Sequence, residues 1–224
     1  MGAANYHSLI GIRWWIFELG RVDICTEVSL LFSCLALPRA GHQEQVFHEF
    51  AYLKKHHNTE MVFDPSYPEI DQHQFESQDW SHNVYGDSLT EDLPPNMPDP
   101  RGLGFVLSTC VDSDHAGNTI TRRSRTRFLV YFNSALIYWM SRKQNSIETS
   151  YFGSEFCAMK VETEYIRGLR FKLRMMGIPC TEPAYNYQNN QLVLANTTIP
   201  HSVLKKKSKS IAFHFVREGS VKDE

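Results

Sequence analysis

The chain has 224 residues, of which 42% are hydrophobic and 21% charged, and its formal net charge is −2. This length allows one or two domains, and the composition excludes a disordered or fibrous chain. The charge excludes an overall basic protein but leaves room for a local basic face. Five scattered cysteines without CxxC spacing show no zinc pattern and favour free thiols in a reducing compartment.

We expect a cytoplasmic protein with no membrane attachment. The apolar stretch 28–37 is too short to span a bilayer, and Ser29 and Ser33 interrupt it. The first two residues begin like a myristoylation signal, but Tyr6 stands where that signal has serine or threonine.

Residues 1–62 are predicted to form a small helical segment. Asp23 is a candidate cap for a helix that Pro38 ends, and a second helix is expected over about 41–57. The apolar stripe of that second helix consists of Val46, Phe50 and Leu53. Because this stripe is narrow, we expect the segment to pack against another part of the protein.

Residues 63–103 have the composition of a Pro-rich acidic linker. They contain six of the ten prolines, with acidic residues throughout. Such a segment buries too little apolar surface to order itself. Trp80 and Tyr85 nevertheless suggest that part of it docks on a neighbouring region.

Residues 104–224 are predicted to be an α/β domain. Three β-rich runs with tight turns indicate an antiparallel meander, at 104–111, 128–132 and 136–140. A long helix, a short β-like run and two further helices are then expected, at 152–176, 184–187, 191–195 and 207–219. The glycine and proline of Gly177-Ile178-Pro179 should stop the long helix. This order predicts a sheet with helices packed on it.

Two acidic residues of this domain are candidates for chemistry. Asp112 closes the first predicted strand, and Glu155 lies in the first turns of the long helix. Two carboxylates on two elements can hold divalent ions that activate water at a phosphodiester. On the pattern alone, a turn aspartate and a glutamate favoured by the helix dipole are the more common interpretation.

Two basic clusters stand out in an otherwise slightly acidic chain. They are candidate phosphate contacts, and their members are Arg122, Arg123, Arg125, Lys205, Lys206 and Lys207. A solvated surface without a ligand is an equally good interpretation.

Several stretches together resemble the RNase H domain of copia-type retrotransposon polyproteins. They read VDSDHAG at 111–117, TRRSRT at 121–126, YWMSRKQ at 138–144, ETSYFGSEF at 148–156, LRFKLRMMGIP at 169–179 and IAFHFVRE at 211–218. Upstream stretches resemble the end of the reverse transcriptase of the same polyproteins, at 6–11, 19–24 and 51–57. The resemblance covers nearly the whole chain, and the combined set is more specific than any single stretch.

The resemblance implies a fold, an activity and a role for each candidate residue. The fold would be an RNase H-like mixed sheet over 104–224, and the ancestral activity cleavage of RNA in RNA–DNA hybrids by two Mg²⁺ or Mn²⁺ ions. Asp112 and Glu155 match two catalytic metal ligands, whereas Asn189 stands in place of a catalytic aspartate. A fourth aspartate is expected in a later motif beyond Glu224. Arg127 is a further departure, at a position where the family more often has glycine.

Three hypotheses follow from this incomplete carboxylate set. The first is a Pol remnant with impaired nuclease activity, and the second is an active magnesium-dependent RNase H. The third is a non-catalytic nucleic-acid-binding module. The expected partners are an RNA–DNA hybrid or other nucleic acid, and the rest of a Pol polyprotein. The resemblance adds a virus-like particle or the nucleus as possible locations.

Overall fold

The computed structural model describes residues 3–75, 78–86, 89–204 and 207–224, and these residues form a mixed α/β fold. The helices are α1 (Ala3–Glu18), α2 (Cys25–Phe32), α3 (Ala40–Lys55), α4 (Tyr151–Met175), α5 (Gln191–Thr198) and α6 (Ser210–Val221). The strands are β1 (Leu107–Asp114), β2 (Arg125–Phe132), β3 (Ala135–Lys143) and β4 (Ala184–Gln188). No helix within these described ranges is both long and apolar enough to cross a membrane.

The four strands form one mixed sheet in the order β3-β2-β1-β4. The first three strands pair antiparallel, which confirms the predicted meander, and β4 pairs parallel to β1. Asn133 makes the tight turn between β2 and β3 with a φ of 53°, a conformation that asparagine tolerates better than most residues. A parallel pair needs a long crossover, and α4 supplies it. The strand that carries Asp112 is therefore central and has a partner on each side.

One face of the sheet packs against α4 and forms the main core. Strand alternation points Val111, Phe128 and Val130 towards this helix, where they meet Ala158 and Ile166. All five are almost fully buried, and each large apolar side chain contributes roughly 1.5–3 kcal/mol on burial. The helix is thus fixed to the sheet along much of its length.

The ends of α4 follow local sequence signals. The Ser150 hydroxyl caps the helix by accepting a hydrogen bond from the backbone N–H of Gly153 at 3.3 Å. Gly177 has a φ of 74° directly after the C-terminal turn, a conformation that glycine adopts without steric cost. The predicted stop at 177–179 is therefore confirmed.

The N-terminal helices pack together and against β3. Tyr6 and Ile10 of α1 contact Leu31 and Val46 in a small core of their own. The predicted cap at Asp23 is wrong, because Ile24 occupies the N-cap position of α2. The Asp23 carboxylate instead accepts a hydrogen bond from Arg21 at 2.7 Å, so an ion pair within the preceding turn takes the place of capping.

The segment 63–103 contains one short 3₁₀ helix at Gln72–Phe75 among its described residues. Its other described parts lie against the α/β region through a few anchors. The ring of Trp80 is buried, and the guanidinium carbon of Arg217 lies 4.7 Å from its centre. Glu91 receives hydrogen bonds from two arginines of α4. This segment therefore gains its order from contacts with α4 and α6 rather than from an apolar core of its own.

Candidate functional site

The structure brings Asp112 and Glu155 to one place at the end of the sheet. Asp112 lies within β1, which ends three residues after the predicted run 104–111, and its side chain is half exposed. Glu155 lies in the second turn of α4 and is buried. The N-terminal part of α4 is held to β2 by Gln144, whose amide donates to the Thr126 hydroxyl at 3.1 Å and to the Ser154 carbonyl at 2.9 Å.

The buried position of Glu155 changes its acidity. Burial, together with the nearby negative charge of Asp112, raises the pKa of this carboxyl to about 7. The two carboxyl groups are therefore close enough for the charge of Asp112 to disfavour ionisation of Glu155. The Gln188 amide donates to the Glu155 carboxylate at 3.2 Å, which joins α4 to the end of β4.

A basic side chain lies beside the acidic pair. Arg127 is directly opposite Asp112 in the antiparallel pairing of β1 and β2. Its Nη1 atom is 3.8 Å from Oδ2 of Asp112, and its Nη2 atom is 3.5 Å from Oδ2 of Asp114. One guanidinium thus faces both aspartates of β1 and partly neutralises them.

Asn189 lies at the same end of the sheet. It follows β4 directly and is exposed. The preceding Gln188 pairs with Val111, the residue before Asp112, so Asn189 follows β4 at the level of Asp112. An asparagine there offers a carbonyl oxygen but no negative charge. The next residue, Asn190, has another role, since its side chain caps α5 by accepting from the backbone N–H of Leu192 at 3.1 Å.

These residues do not fit a centre with two divalent ions. Such a centre relies on several hard, negatively charged oxygens around the ions. Here Asp112 already faces Arg127, Glu155 has its negative form disfavoured by burial, and Asn189 is neutral. Within the described part of the chain, no group of three or more acidic, histidine or cysteine side chains is arranged to hold a metal ion.

The predicted basic contacts fall into separate environments. Arg122 is exposed and Arg123 half-buried in the connection between β1 and β2. Lys207 is exposed in the 3₁₀ helix before α6, and Lys205 and Lys206 lie outside the described residues.

Arg125, which the sequence groups with Arg122 and Arg123 as a candidate phosphate contact, does not lie on an exposed basic surface. The side chain is buried, and Nη1 donates to the Ser29 hydroxyl of α2. The reason is tertiary packing: the N-terminal helices cover the start of β2, which no local pattern around Arg125 indicates.

Sequence reasoning missed two residues near the candidate site. Glu162 lies about two turns after Glu155 on the same face of α4, and its carboxylate accepts hydrogen bonds from Thr109 at 2.7 Å and Asn186 at 2.6 Å. His115 follows β1 and lies 3.3 Å from the Ser154 hydroxyl, with its ring centre 4.5 Å from that of Tyr151. The seven-residue spacing of the two glutamates is the signal that could have identified Glu162.

Comparison with models of known protein families finds none that matches this chain. No family model therefore assigns a role to the residues of the candidate site. The structure establishes a mixed α/β fold that places an acidic pair, an arginine and an asparagine at one end of its sheet.

Proposed function

We propose that this chain is a copia-type retroelement Pol remnant whose α/β region is an RNase H-like domain with weak or absent nuclease activity. The order of strands and helices supports the ancestry, since β1 and α4 bring Asp112 and Glu155 together as the resemblance implies. The observation that carries the impairment is the position of Arg127, which directs its guanidinium at Asp112 and Asp114.

The charges around Asp112 explain why nuclease activity would be lost. A divalent ion beside Asp112 would meet the positive charge of Arg127, and it would find a neutral Asn189 where the resemblance implies a carboxylate. Magnesium gives up its water ligands reluctantly and needs strong anionic ligands in compensation. The site is thus better suited to an internal ion pair than to a bound metal.

The direct test is cleavage of a labelled RNA–DNA hybrid by the full chain, with Mg²⁺ or Mn²⁺. We expect no more cleavage than with the Asp112→Asn variant, which serves as the matched control. Cleavage that Asp112→Asn abolishes would refute the impairment and favour an active RNase H.

A restoration experiment tests the ancestry. The double variant Arg127→Gly with Asn189→Asp removes the positive charge and adds a carboxylate. We expect Mn²⁺ to bind this variant more tightly than the parent chain, as read from the Mn²⁺ electron paramagnetic resonance signal, with hybrid cleavage as a second readout. Equal Mn²⁺ affinity of parent and folded double variant would contradict the proposed metal-site origin.

Hybrid binding without cleavage is a separate outcome. Binding that weakens steeply with salt would favour a nucleic-acid-binding module that uses exposed basic residues such as Arg122 and Lys207. Substituting these two residues by glutamine should then weaken binding, whereas salt-insensitive or undetectable binding would exclude this alternative.

A further inference from the structure

A cavity of about 680 Å³ lies between the N-terminal helices and β3. Four aromatic side chains, Trp14, Phe17, Phe32 and Trp139, form part of its wall. Their rings are in contact, with centres 5.0 Å apart for Trp14 and Phe32 and 6.1 Å apart for Phe17 and Trp139. The volume is within the range of small-molecule sites, and aromatic walls suit flat rings.

Arg125 is the unusual component of this wall. The residue is 4% exposed, and among the described residues the hydrogen-bond partner of its guanidinium is the Ser29 hydroxyl. That hydroxyl donates in turn to the Ser141 carbonyl at 2.5 Å, so it is an uncharged partner already in use. No carboxylate in the described part of the chain lies within ion-pair distance of Arg125. The negative charge of Asp114, directly opposite Arg125 in the pairing of β1 and β2, acts on the guanidinium without a direct ion pair. A buried guanidinium without a direct ion pair is costly, because its charge has lost much of its water.

Two further polar features lie in the same wall. Ser141 lines the cavity, and its hydroxyl is buried without a hydrogen-bond partner among the described residues. Arg142 and Lys143 also line the cavity, against a single acidic residue there, Glu18. The charge of the cavity wall is therefore net positive.

We propose that this cavity binds a small aromatic anion, with the anionic group on Arg125 and the flat ring against the aromatic wall. The anion would be a direct ion-pair partner for Arg125. A phosphate or a carboxylate on the ring would satisfy this chemistry equally. This site is distinct from the acidic pair and does not depend on the proposed nuclease ancestry.

The test is a binding titration of the full chain with two anionic probes and their neutral counterparts. Adenosine monophosphate and 1-naphthoate carry a phosphate and a carboxylate, whereas adenosine and naphthalene-1-methanol have the ring systems without the charge. We expect at least one anion to bind with one-to-one stoichiometry, and its neutral counterpart to bind at least about tenfold more weakly, as for a lost hydrogen bond to a charged group. Binding of one anion alone would identify the phosphate or the carboxylate as the preferred group.

Variants locate the binding in this cavity. Arg125→Met should weaken binding of the anion at least about tenfold, and it should still fold, since replacing an unpaired buried charge by an apolar side chain is often neutral or stabilising. Glu18→Gln should tighten binding because it removes the negative charge from the wall. Arg101→Met, an exposed position away from the cavity, should leave affinity unchanged and is the control for the loss of one positive charge.

Three results would overturn the proposal. The first is the absence of saturable binding of both anions at millimolar concentration. The second is equal affinity for the neutral counterparts, and the third is full affinity in a folded Arg125→Met variant. If Arg125→Met does not fold, the Phe32→Ala variant provides the test instead. Phe32 is half exposed and forms part of the aromatic wall, so its loss should weaken binding of the ring. Unchanged affinity of Phe32→Ala for the anion would also refute the proposed site.

Discussion

The carboxyl of Glu162 is buried in the main core, and its replacement by glutamine tests how that core depends on pH. Glu162 is 2% exposed, and burial raises its pKa from 4.5 to about 7 although Thr109 and Asn186 donate hydrogen bonds to it. The folded state therefore holds a proton that the unfolded chain has already released between these two pH values. Stability falls as pH rises through this window, because the unfolded state then binds fewer protons than the folded state.

The size of the change in the free energy of unfolding follows from the pKa shift of Glu162. Each pKa unit corresponds to about 1.4 kcal/mol, so a shift from 4.5 to about 7 lowers the free energy of unfolding by about 3 kcal/mol once the pH is above 7. Below pH 4.5 both states are protonated and the contribution vanishes. Glu162→Gln cannot ionise, so its stability relative to the parent chain should increase by about 3 kcal/mol from pH 4.5 to pH 8. The otherwise unpaired Oδ1 of Asn186 can accept from the new amide after a flip of its own amide group.

Urea unfolding of both proteins at several pH values measures this difference directly. Comparing the difference across pH cancels any repacking cost that is independent of pH. Glu164→Gln, at an exposed position of the same helix, is the control for the loss of one negative charge. A constant difference between parent and Glu162→Gln from pH 4.5 to pH 8 would refute the argument from burial.

Two further variants probe anchoring contacts. Glu91→Gln should destabilise the fold by about 3 kcal/mol at pH 7, because Arg170 and Arg174 would remain buried without their carboxylate, whose Oε2 lies 2.8 Å from Arg170 Nη2. Burial raises the pKa of the Glu91 carboxyl, but the hydrogen bonds from the two arginines outweigh burial and hold this pKa below 4.5. The stability that Glu91 contributes is therefore present above pH 4.5 and is lost as the pH falls further. Urea unfolding of the parent chain and of Glu91→Gln at pH 7 and pH 3 measures the loss of stability and its pH dependence, and equal stability at pH 7 would contradict the prediction. Gly117→Ala should lower the free energy of unfolding by about 1 kcal/mol, because the added Cβ would collide with the Asp114 carboxylate that accepts a hydrogen bond from the Gly117 N–H. Urea unfolding measures this loss, and an unchanged stability would show that the Asp114 side chain moves aside without cost.

Local patterns predicted the helices and strands of the α/β region better than they predicted the contacts around them. The β-rich runs, the turn at Asn133 and the stop at Gly177 follow from periodicity and from residues that tolerate positive φ. The cap at Asp23 failed because a neighbouring arginine competed for the carboxylate. That competition depends on the geometry of the turn, which the order of residues does not contain.

The sequence predicted those parts of the candidate site that depend on local patterns. Asp112 and Glu155 could be placed together, because a strand end and the start of a crossover helix meet in many mixed sheets. The burial of Arg125 could not be predicted, since it depends on helices that lie almost a hundred residues earlier in the chain. Glu162 escaped notice because an acidic residue in a helix is usually assigned to its solvent face.

The parallel pairing of β1 with β4 has a consequence for the order of folding. Leu107 pairs with Ala184, so this ladder closes a loop that contains the whole meander and α4. The connections within the meander are much shorter, since they cover residues 115–124 between β1 and β2 and residues 133–134 between β2 and β3. Because closing long loops costs more chain entropy, we expect the meander to form first and β4 to dock last. Pulsed hydrogen exchange would then protect the amides of β2 before those of β4. The acidic pair would thus gain its neighbours Gln188 and Asn189 only in the final step of folding.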